Sequence, residues 1–369
     1  MTSPAFIFAG GGSGGHLYPG IAIAERIREL DPEATTRFVC SDRPIDAQVL
    51  GEEGVDFTPI PARPFSIRPR GLLRLAWSWG GCVRTVRGLI RQLAAEGRDV
   101  TLVAMGGFAA APAARAARAE GRPIHLVNLD AVPGKANQWL ARRADVVWTA
   151  CRGPQIPSDW RVVRPIVRRR ALPTSDSPQA CRARLGLDPD RPMLLVTGGS
   201  QGASTINRTM IALTGVTPSL FAGWQIYHQS GPTDRHELRT AYQSAGIPHV
   251  VTSYCNDMAA AWGGADAAVG RAGAGTVAEA WGTMTPTLFL PYPWHRDDHQ
   301  QANAAPLIEC GGAVLIRDTT DAQANAGACT EPLRRLLDPE HAGQMRAALQ
   351  ELGPTDGAIS VSRGLLGRQ

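Results

Sequence analysis

The 369-residue chain is almost without lysine: among its 38 Lys and Arg residues, only Lys135 is a lysine. Its formal charge of +5 is therefore an arginine excess, and planar guanidinium groups suit phosphates, diphosphates and anionic membrane faces. Dense basic runs are missing, so no nucleic-acid partner is expected. The seven cysteines show no CxxC pair and no metal-ligand spacing, which fits reduced thiols in a cytosolic protein. No run of about 18 apolar residues occurs, so any membrane contact is peripheral. No basic segment precedes the first apolar stretch, and a signal peptide is not expected. With 44% hydrophobic and 19% charged residues, the chain reads as globular and long enough for two domains.

Short apolar runs alternate with helical patterns. "AFIFA" (5–9), "DVTLVAM" (99–105), "IHLVN" (124–128) and "DVVWTA" (145–150) read as buried parallel strands. "GIAIAERIREL" (20–30) and "ANQWLARRA" (136–144) read as helices between them. The pattern restarts after a Pro- and Arg-containing stretch, with strands at 193–199, 225–231, 249–254, 266–270 and 286–291. Such alternation argues for α/β architecture with doubly wound parallel sheets, here two Rossmann-like domains. The expected division is residues 1–165, a linker over 166–190, a second domain over 191–345, and a helical segment over 346–369 that packs back on the first domain. "AFIFAGGGSGG" and "MLLVTGGSQGA" echo each other as strand, glycine turn and helix. Ligands of open α/β sheets bind at strand carboxyl ends, so both loops are expected to face one interdomain cleft.

Glycine turns let a backbone approach a ligand closely, and a following helix N-terminus attracts anions, although any tight βα turn can use glycine. Neither loop is a P-loop, since no Gly-Lys-Ser/Thr follows. Gly10, Gly12 and Gly15 match GxGxxG, but Pro19 follows early in the helix and no acidic strand end lies about twenty residues on. His16 directly after the first loop is either a structural imidazole or a base for an acceptor hydroxyl. In "GRAGAGTVAEA" (270–280), Glu279 is either a helix-terminal charge or an acceptor for ribose hydroxyls. "WHRDDHQQANA" (294–304) invites a metal, but helix ends and arginines can offset diphosphate charge, so no metal or other cofactor is expected. "RPFSIRPRGLLRLAWSWGGCVRTVRGLIRQL" (63–93) suits an amphipathic helix, lying on an anionic bilayer or packed inward with its arginines wet.

"GGSGGHLYPG" (11–20), "MGGFAAAP" (105–112), "GGSQGA" (198–203), "YHQSG" (227–231), "NDMAAAW" (256–262), "RAGAGTVAE" (271–279) and "DDHQQANA" (297–304) stand in one order along the chain. In this the sequence resembles the MurG family of peptidoglycan synthesis. The resemblance implies a GT-B fold and inverting, metal-independent transfer of GlcNAc. UDP-GlcNAc is the implied donor and lipid I, undecaprenyl-diphospho-MurNAc-pentapeptide, the implied acceptor, met at the cytoplasmic face of the cell membrane on its anionic inner leaflet. It also implies roles for individual residues. Ser13, Gly14 and Gly15 contact donor and acceptor phosphates, and His16 is the candidate base. Ser200 and Gln201 face the donor diphosphate, Arg168 helps to hold the nucleotide, and Cys255 presents backbone to the uracil. Ala274, Gly275, Thr276, Val277, Ala278 and Glu279 line the ribose and diphosphate, and Gln300 and Asn303 hold the sugar. The chain departs from the family pattern after the strand at 124–128. Asn128 stands where a carboxylate is usual, and Asp130 replaces an asparagine associated with the sugar-binding cleft. These departures also leave room for a related transferase with another acceptor, or for an inactive UDP-sugar-binding scaffold.

Overall fold

In the computed structural model the chain divides into two units, Met1–Arg168 with Asp356–Gln369, and Arg169–Thr355. The structure describes all residues except Met1, Ser13, 65–68, Thr174, Ser175, Ser200, Gln201, 295–297 and Gln369, and over 69–76 it describes the backbone only.

The first unit is built on a wholly parallel sheet of β1 (Pro4–Ala9), β2 (Thr35–Ser41), β3 (Phe57–Ile60), β4 (Asp99–Ala104), β5 (Ile124–Asn128), β6 (Val146–Thr149) and β7 (Arg161–Val162), in the order β3-β2-β1-β4-β5-β6-β7. The apolar run "AFIFA" becomes the central strand because it is buried on both faces, as a parallel strand covered by helices must be. Ile7 joins Val86, Ile90 and Leu102 on one side of the sheet, while Phe6 and Phe8 join Ile23, Ile27 and Phe38 on the other. Strand order reverses between β1 and β4, which opens a crevice at their carboxyl ends.

The long helix Pro69–Ala95 buries Cys82, Val86, Ile90 and Leu93 at spacings of four, four and three, so from Cys82 onward its apolar stripe faces the core. Arg87 and Arg91 on that helix pair with Glu120. Trp77, one turn earlier than this stripe, is 90% exposed.

The second unit carries another wholly parallel sheet of β8 (Met193–Thr197), β9 (Gln225–Gln229), β10 (His249–Thr252), β11 (Ala267–Gly270), β12 (Thr287–Phe289) and β13 (Ala313–Leu315), in the order β10-β9-β8-β11-β12-β13. Its order reverses between β8 and β11. The amino ends of these two central strands are pinned by Asp266, which accepts from Met193 N–H at 2.8 Å and pairs with the buried Arg182 at 2.7 Å. Strands β2, β3, β7 and β13 extend the sheets beyond the strands read from the sequence.

The C-terminal return begins later than residue 346. Helix Pro339–Glu351 stays with the second unit because Leu349 fills the space over Gly312, where a Cβ would lie 2.3 Å from Leu349 Cγ. Only Asp356–Gln369 belongs to the first unit. There helix Gly357–Leu365 lies on helix Gly14–Leu30, and Ser362 Oγ donates to the Ile23 carbonyl at 3.0 Å. Gly357 permits this docking, since a Cβ there would sit 1.9 Å from the Arg164 carbonyl oxygen. Gly357→Ala is therefore expected to destabilise the first unit by about 3 kcal/mol through overpacking against backbone. Gly343→Ala, inside helix Pro339–Glu351 with nothing within 4 Å of the new Cβ, provides the comparison, where only a gain of about 1 kcal/mol in helix propensity is expected. Equal thermal midpoints for the two variants would contradict this account.

Candidate functional site

At the end of β1 the chain turns through Gly10, Gly11 and Gly12 into helix Gly14–Leu30. Gly11 and Gly12 take φ of 149° and 92°, in the region that favours glycine. Beneath this turn lies Asp46, fully buried on helix Pro44–Glu52. Its two oxygens accept from Gly12 N–H at 3.1 and 2.9 Å, and Oδ2 also accepts from Ser41 N–H at 3.1 Å and Ser41 Oγ at 2.5 Å. A Cβ on Gly11 would lie 2.5 Å from Asp46 Oδ2. The carboxylate thus fits only because Gly11 has no side chain.

From the other side of the crevice, β4 runs on into Met105, Gly106 and Gly107. His16 lies against this segment, with Nδ1 3.1 Å from the Met105 carbonyl oxygen. A Cβ on Gly106 would come within 3.2 Å of His16 Cε1 and Nδ1, and one on Gly107 within 3.2 Å of His16 Cδ2. A carbonyl can only accept, so Nδ1 carries the proton and Nε2 is the basic nitrogen. Burial lowers the imidazole from its ordinary value of 6.5, while Asp130, the Met105 carbonyl and Asp46 oppose the shift. His16 is accordingly neutral at pH 7, with a lone pair to offer.

Asn128 is fully buried at the end of β5. Its Nδ2 donates to the Asp130 carbonyl at 2.7 Å and to Thr149 Oγ1 at 3.2 Å, and its Oδ1 accepts from Asn137 Nδ2 at 3.0 Å. The asparagine therefore ties three segments beside the crevice together. Asp130 is half-buried and acts on His16 through its charge. Arg168 pairs with Glu53 at 2.6 Å and lies 3.6 Å over the Tyr18 ring, all within the first unit. Gly14 is buried and Gly15 exposed in the first helical turn; Ser13 lies outside the described residues.

In the second unit, β8 ends at Thr197 and the chain turns through Gly198 and Gly199, and β11 ends at Gly270. Ser200 and Gln201 lie outside the described residues. Gly202 (φ 73°) passes so near the β9 loop that a Cβ would lie 2.3 Å from the Ser230 carbonyl oxygen. Beyond β11, helix Ala274–Gly282 starts at the crevice with Gly273 as its N-cap, and the cap makes no side-chain bond. The first N–H groups of a helix have no partner within it. Val277 and Ala278 are buried, Ala274 and Thr276 half-buried, and Gly275 exposed. Glu279 Oε2 accepts from Trp262 Nε1 at 3.0 Å. Cys255 is buried in the same cluster as Tyr227, and burial pushes its thiol up. Gln300 Oε1 accepts from Tyr292 N–H at 2.8 Å, and the buried Asn303 donates to the Ala272 carbonyl at 3.4 Å. The "WHRDDHQQANA" cluster is described only in part, since His295, Arg296 and Asp297 lie outside the described residues.

Three features that shape the two crevices are not singled out in the sequence: one lies outside the quoted motifs and two lie at the first residues of motifs, Met105 and Arg271. Asp46 holds the first turn from 34 residues away. The Met105 carbonyl sets the His16 tautomer. Arg271 is the third: it is buried and donates to the Leu290 and Pro291 carbonyls and to Asp318 Oδ2 at 2.7 Å. Its Nη2 also donates to Thr205 Oγ1, so one side chain fixes four segments around the second crevice. Burial would raise the Asp318 carboxyl, but bonds from Thr205, Arg271 and Asn325 hold it below the usual carboxylate range.

The N-terminal domain of glycosyltransferase family 28 matches residues 6–149 and the C-terminal domain of that family matches residues 193–348. Two actinobacterial proteins named UDP-N-acetylglucosamine--N-acetylmuramyl-(pentapeptide) pyrophosphoryl-undecaprenol N-acetylglucosamine transferase are close in sequence. That of Nocardioides is 32% identical over 98% of this chain and 97% of its own. That of Leifsonia xyli is 35% identical over 97% of this chain and 96% of its own. The crystal structure of Acinetobacter baumannii MurG superposes with a TM-score of 0.73 at 24% identity, covering 99% of both chains, and agrees in fold. The calicheamicin glycosyltransferase CalG4 superposes with a TM-score of 0.63 at 15% identity over 100% of this chain and 99% of its own. With two doubly wound sheets, both family 28 domains and full-length kinship to these transferases, the chain belongs to the MurG family of GT-B glycosyltransferases.

Proposed function

We propose that this chain transfers N-acetylglucosamine from UDP-N-acetylglucosamine to the 4-hydroxyl of undecaprenyl-diphospho-N-acetylmuramoyl-pentapeptide, with inversion and with His16 as the base. Kinship along nearly the whole chain to transferases named for that reaction supports the substrates. The observation that carries the base is the Nδ1–Met105 carbonyl bond, which leaves Nε2 unprotonated at the strand-reversal crevice of the first unit. The acceptor oxygen attacks the anomeric carbon on the face opposite UDP, and Nε2 takes its proton as the bond forms. Asp130 and Asp46 then stabilise the imidazolium.

The leaving diphosphate gains negative charge. The free N–H groups at the start of helix Ala274–Gly282, with the turn at Gly198 and Gly199, are suited to receive it. In this reading Ala274, Gly275, Thr276, Val277 and Ala278 border the diphosphate and ribose. Glu279 accepts from ribose hydroxyls, Gln300 and Asn303 bind sugar hydroxyls, and the main chain at Cys255 meets the uracil. Gly14 and Gly15 border the acceptor diphosphate. Ser13, Ser200 and Gln201 enter on the motif match alone. A nucleotide contact by Arg168 requires it to exchange Glu53 for phosphate. We place the enzyme on the anionic cytoplasmic face of the membrane, peripherally. The support is Trp77, exposed on a long arginine-bearing helix, and the lack of a described helix long and apolar enough to cross a bilayer.

Transfer is measured with labelled UDP-N-acetylglucosamine and the lipid-linked acceptor. The native chain is expected to yield a β-linked product, and His16→Ala to lose about 10²- to 10⁴-fold in kcat while keeping its circular dichroism spectrum. A fully active His16→Ala enzyme would sink the assignment of the base. Because the folded His16 titrates below 6.5, kcat/KM should be flat near neutrality. It should fall only on the acid side of that value, as the base becomes protonated. Transfer confined to other lipid or soluble acceptors would favour the reading prompted by Asn128 and Asp130. For the membrane, Trp77→Ala should lower sedimentation with phosphatidylglycerol vesicles without changing kcat on a soluble acceptor analogue; unchanged sedimentation counts against this docking face.

A further inference from the structure

The acid beneath the first glycine turn is not explained by packing alone. Asp46 is fully buried, and the contacts to its oxygens come from two main-chain N–H groups and a hydroxyl, the bonding pattern of an anion. The turn that it holds leads directly into His16. The Gly11 carbonyl also lies against Gly107, where a Cβ would sit 2.6 Å from that oxygen, and Gly107 flanks the imidazole. Holding Gly11 and Gly12 therefore sets one wall of the slot in which the ring sits.

Several groups face that ring or its turn. Asp130 reaches it from the loop after β5 and exerts the larger pull, and Asp46 adds to it from helix Pro44–Glu52. The Met105 carbonyl bonds Nδ1, and Asn137 Oδ1 borders the same Gly106 position as the ring. On the cationic side, Arg43 donates to the Gly12 carbonyl at 3.1 Å and lies 4.9 Å from the Phe108 ring centre. Among these, Asp46 joins a buried negative charge to a direct hold on the turn. A buried charge is screened less by solvent than an exposed one, so its influence persists at moderate salt.

We infer that Asp46 is a positioning residue for proton transfer: its carboxylate fixes the turn that aims His16, and its negative charge stabilises the imidazolium formed when His16 takes the acceptor's proton. The inference rests on the reading of His16 as the base. In that step the acceptor O–H bond breaks and its oxygen bonds the anomeric carbon. The bond from that carbon to UDP breaks with the electron pair leaving on UDP, and the proton ends on Nε2.

Asp46→Asn tests it, because an amide oxygen in place of Oδ2 keeps the bonds from Gly12 N–H, Ser41 N–H and Ser41 Oγ to that atom, while the longer Gly12 contact to Oδ1 and the charge are lost. Histidine NMR titration of the full-length protein, with the His16 signal identified by its absence from His16→Gln, reads the effect directly. Losing a nearby anion disfavours the protonated ring, so the His16 midpoint should fall by about one pH unit. The acid limb of kcat/KM should move the same way, and kcat should drop about tenfold as the base weakens, with KM for UDP-N-acetylglucosamine within about twofold of native. Ser41→Ala removes one bond to the same carboxylate and keeps its charge, and its midpoint should stay at the native value. If Ser41→Ala lowers the midpoint as much as Asp46→Asn, the effect comes from the frame and the charge role falls. An unchanged midpoint in a natively folded Asp46→Asn protein, with His16→Gln inactive, overturns this inference alone. A fully active His16→Gln overturns the base reading beneath it.

Discussion

Parallel pairing on both sides of a central strand is the constraint from which each site follows. β1 lies between β2 and β4, and β8 between β9 and β11, so every strand in each sheet points the same way and the winding must reverse beside that strand. At the reversal, the loops leaving the two neighbouring strands run to opposite faces and cannot cover the gap between them. The glycines then have a defined task. They let two main-chain segments and a functional group share a gap that side chains would otherwise fill, as the fit of the His16 ring against Gly106 and Gly107 shows.

Buried charge serves as the second organising device. Asp46 collects the donors of the turn after β1, Asp266 with Arg182 pins the amino ends of β8 and β11, and Arg271 with Asp318 gathers the loops after β11, β12 and β13. A buried ion pair adds little net stability over an apolar replacement, but losing one partner costs about 3–5 kcal/mol. Such groups act less as sources of stability than as conditions on geometry. Two of the three lie at the strand ends where chemistry is proposed, and the third sets the strand register opposite.

The sequence carried the architecture where burial was complete on both faces. Strands such as "AFIFA" and "MLLVT" read as unbroken apolar runs because helices cover both of their sides. β2 is hidden because "TTRFVCS" places Arg37 in mid-strand, which is tolerable because its side chain reaches solvent, where the guanidinium meets Asp56 at 2.6 Å. β3 contains Pro59, while β7 and β13 have two and three residues, too few for any periodicity. His16 was legible because it adjoins its glycine turn in sequence. Asp46 was not, because its partner Gly12 is a neighbour only in space. Asn128 gained a different meaning. As a departure from a family pattern it suggested altered chemistry, yet its side chain is spent on Asn137, Thr149 and the Asp130 main chain.

The return of Asp356–Gln369 to the first unit makes that unit discontinuous, with the second unit inserted as one uninterrupted segment. Synthesis proceeds from the N-terminus, and domains generally fold as units as they emerge. The second unit therefore has its complete sequence before the first has its own. Helix Gly14–Leu30, which bears His16, must wait for helix Gly357–Leu365, made after the whole second unit, before its outer face is covered. Completion of the proposed catalytic half is thus tied to synthesis beyond the whole second unit, and a product terminated before Asp356 lacks part of the core behind its base.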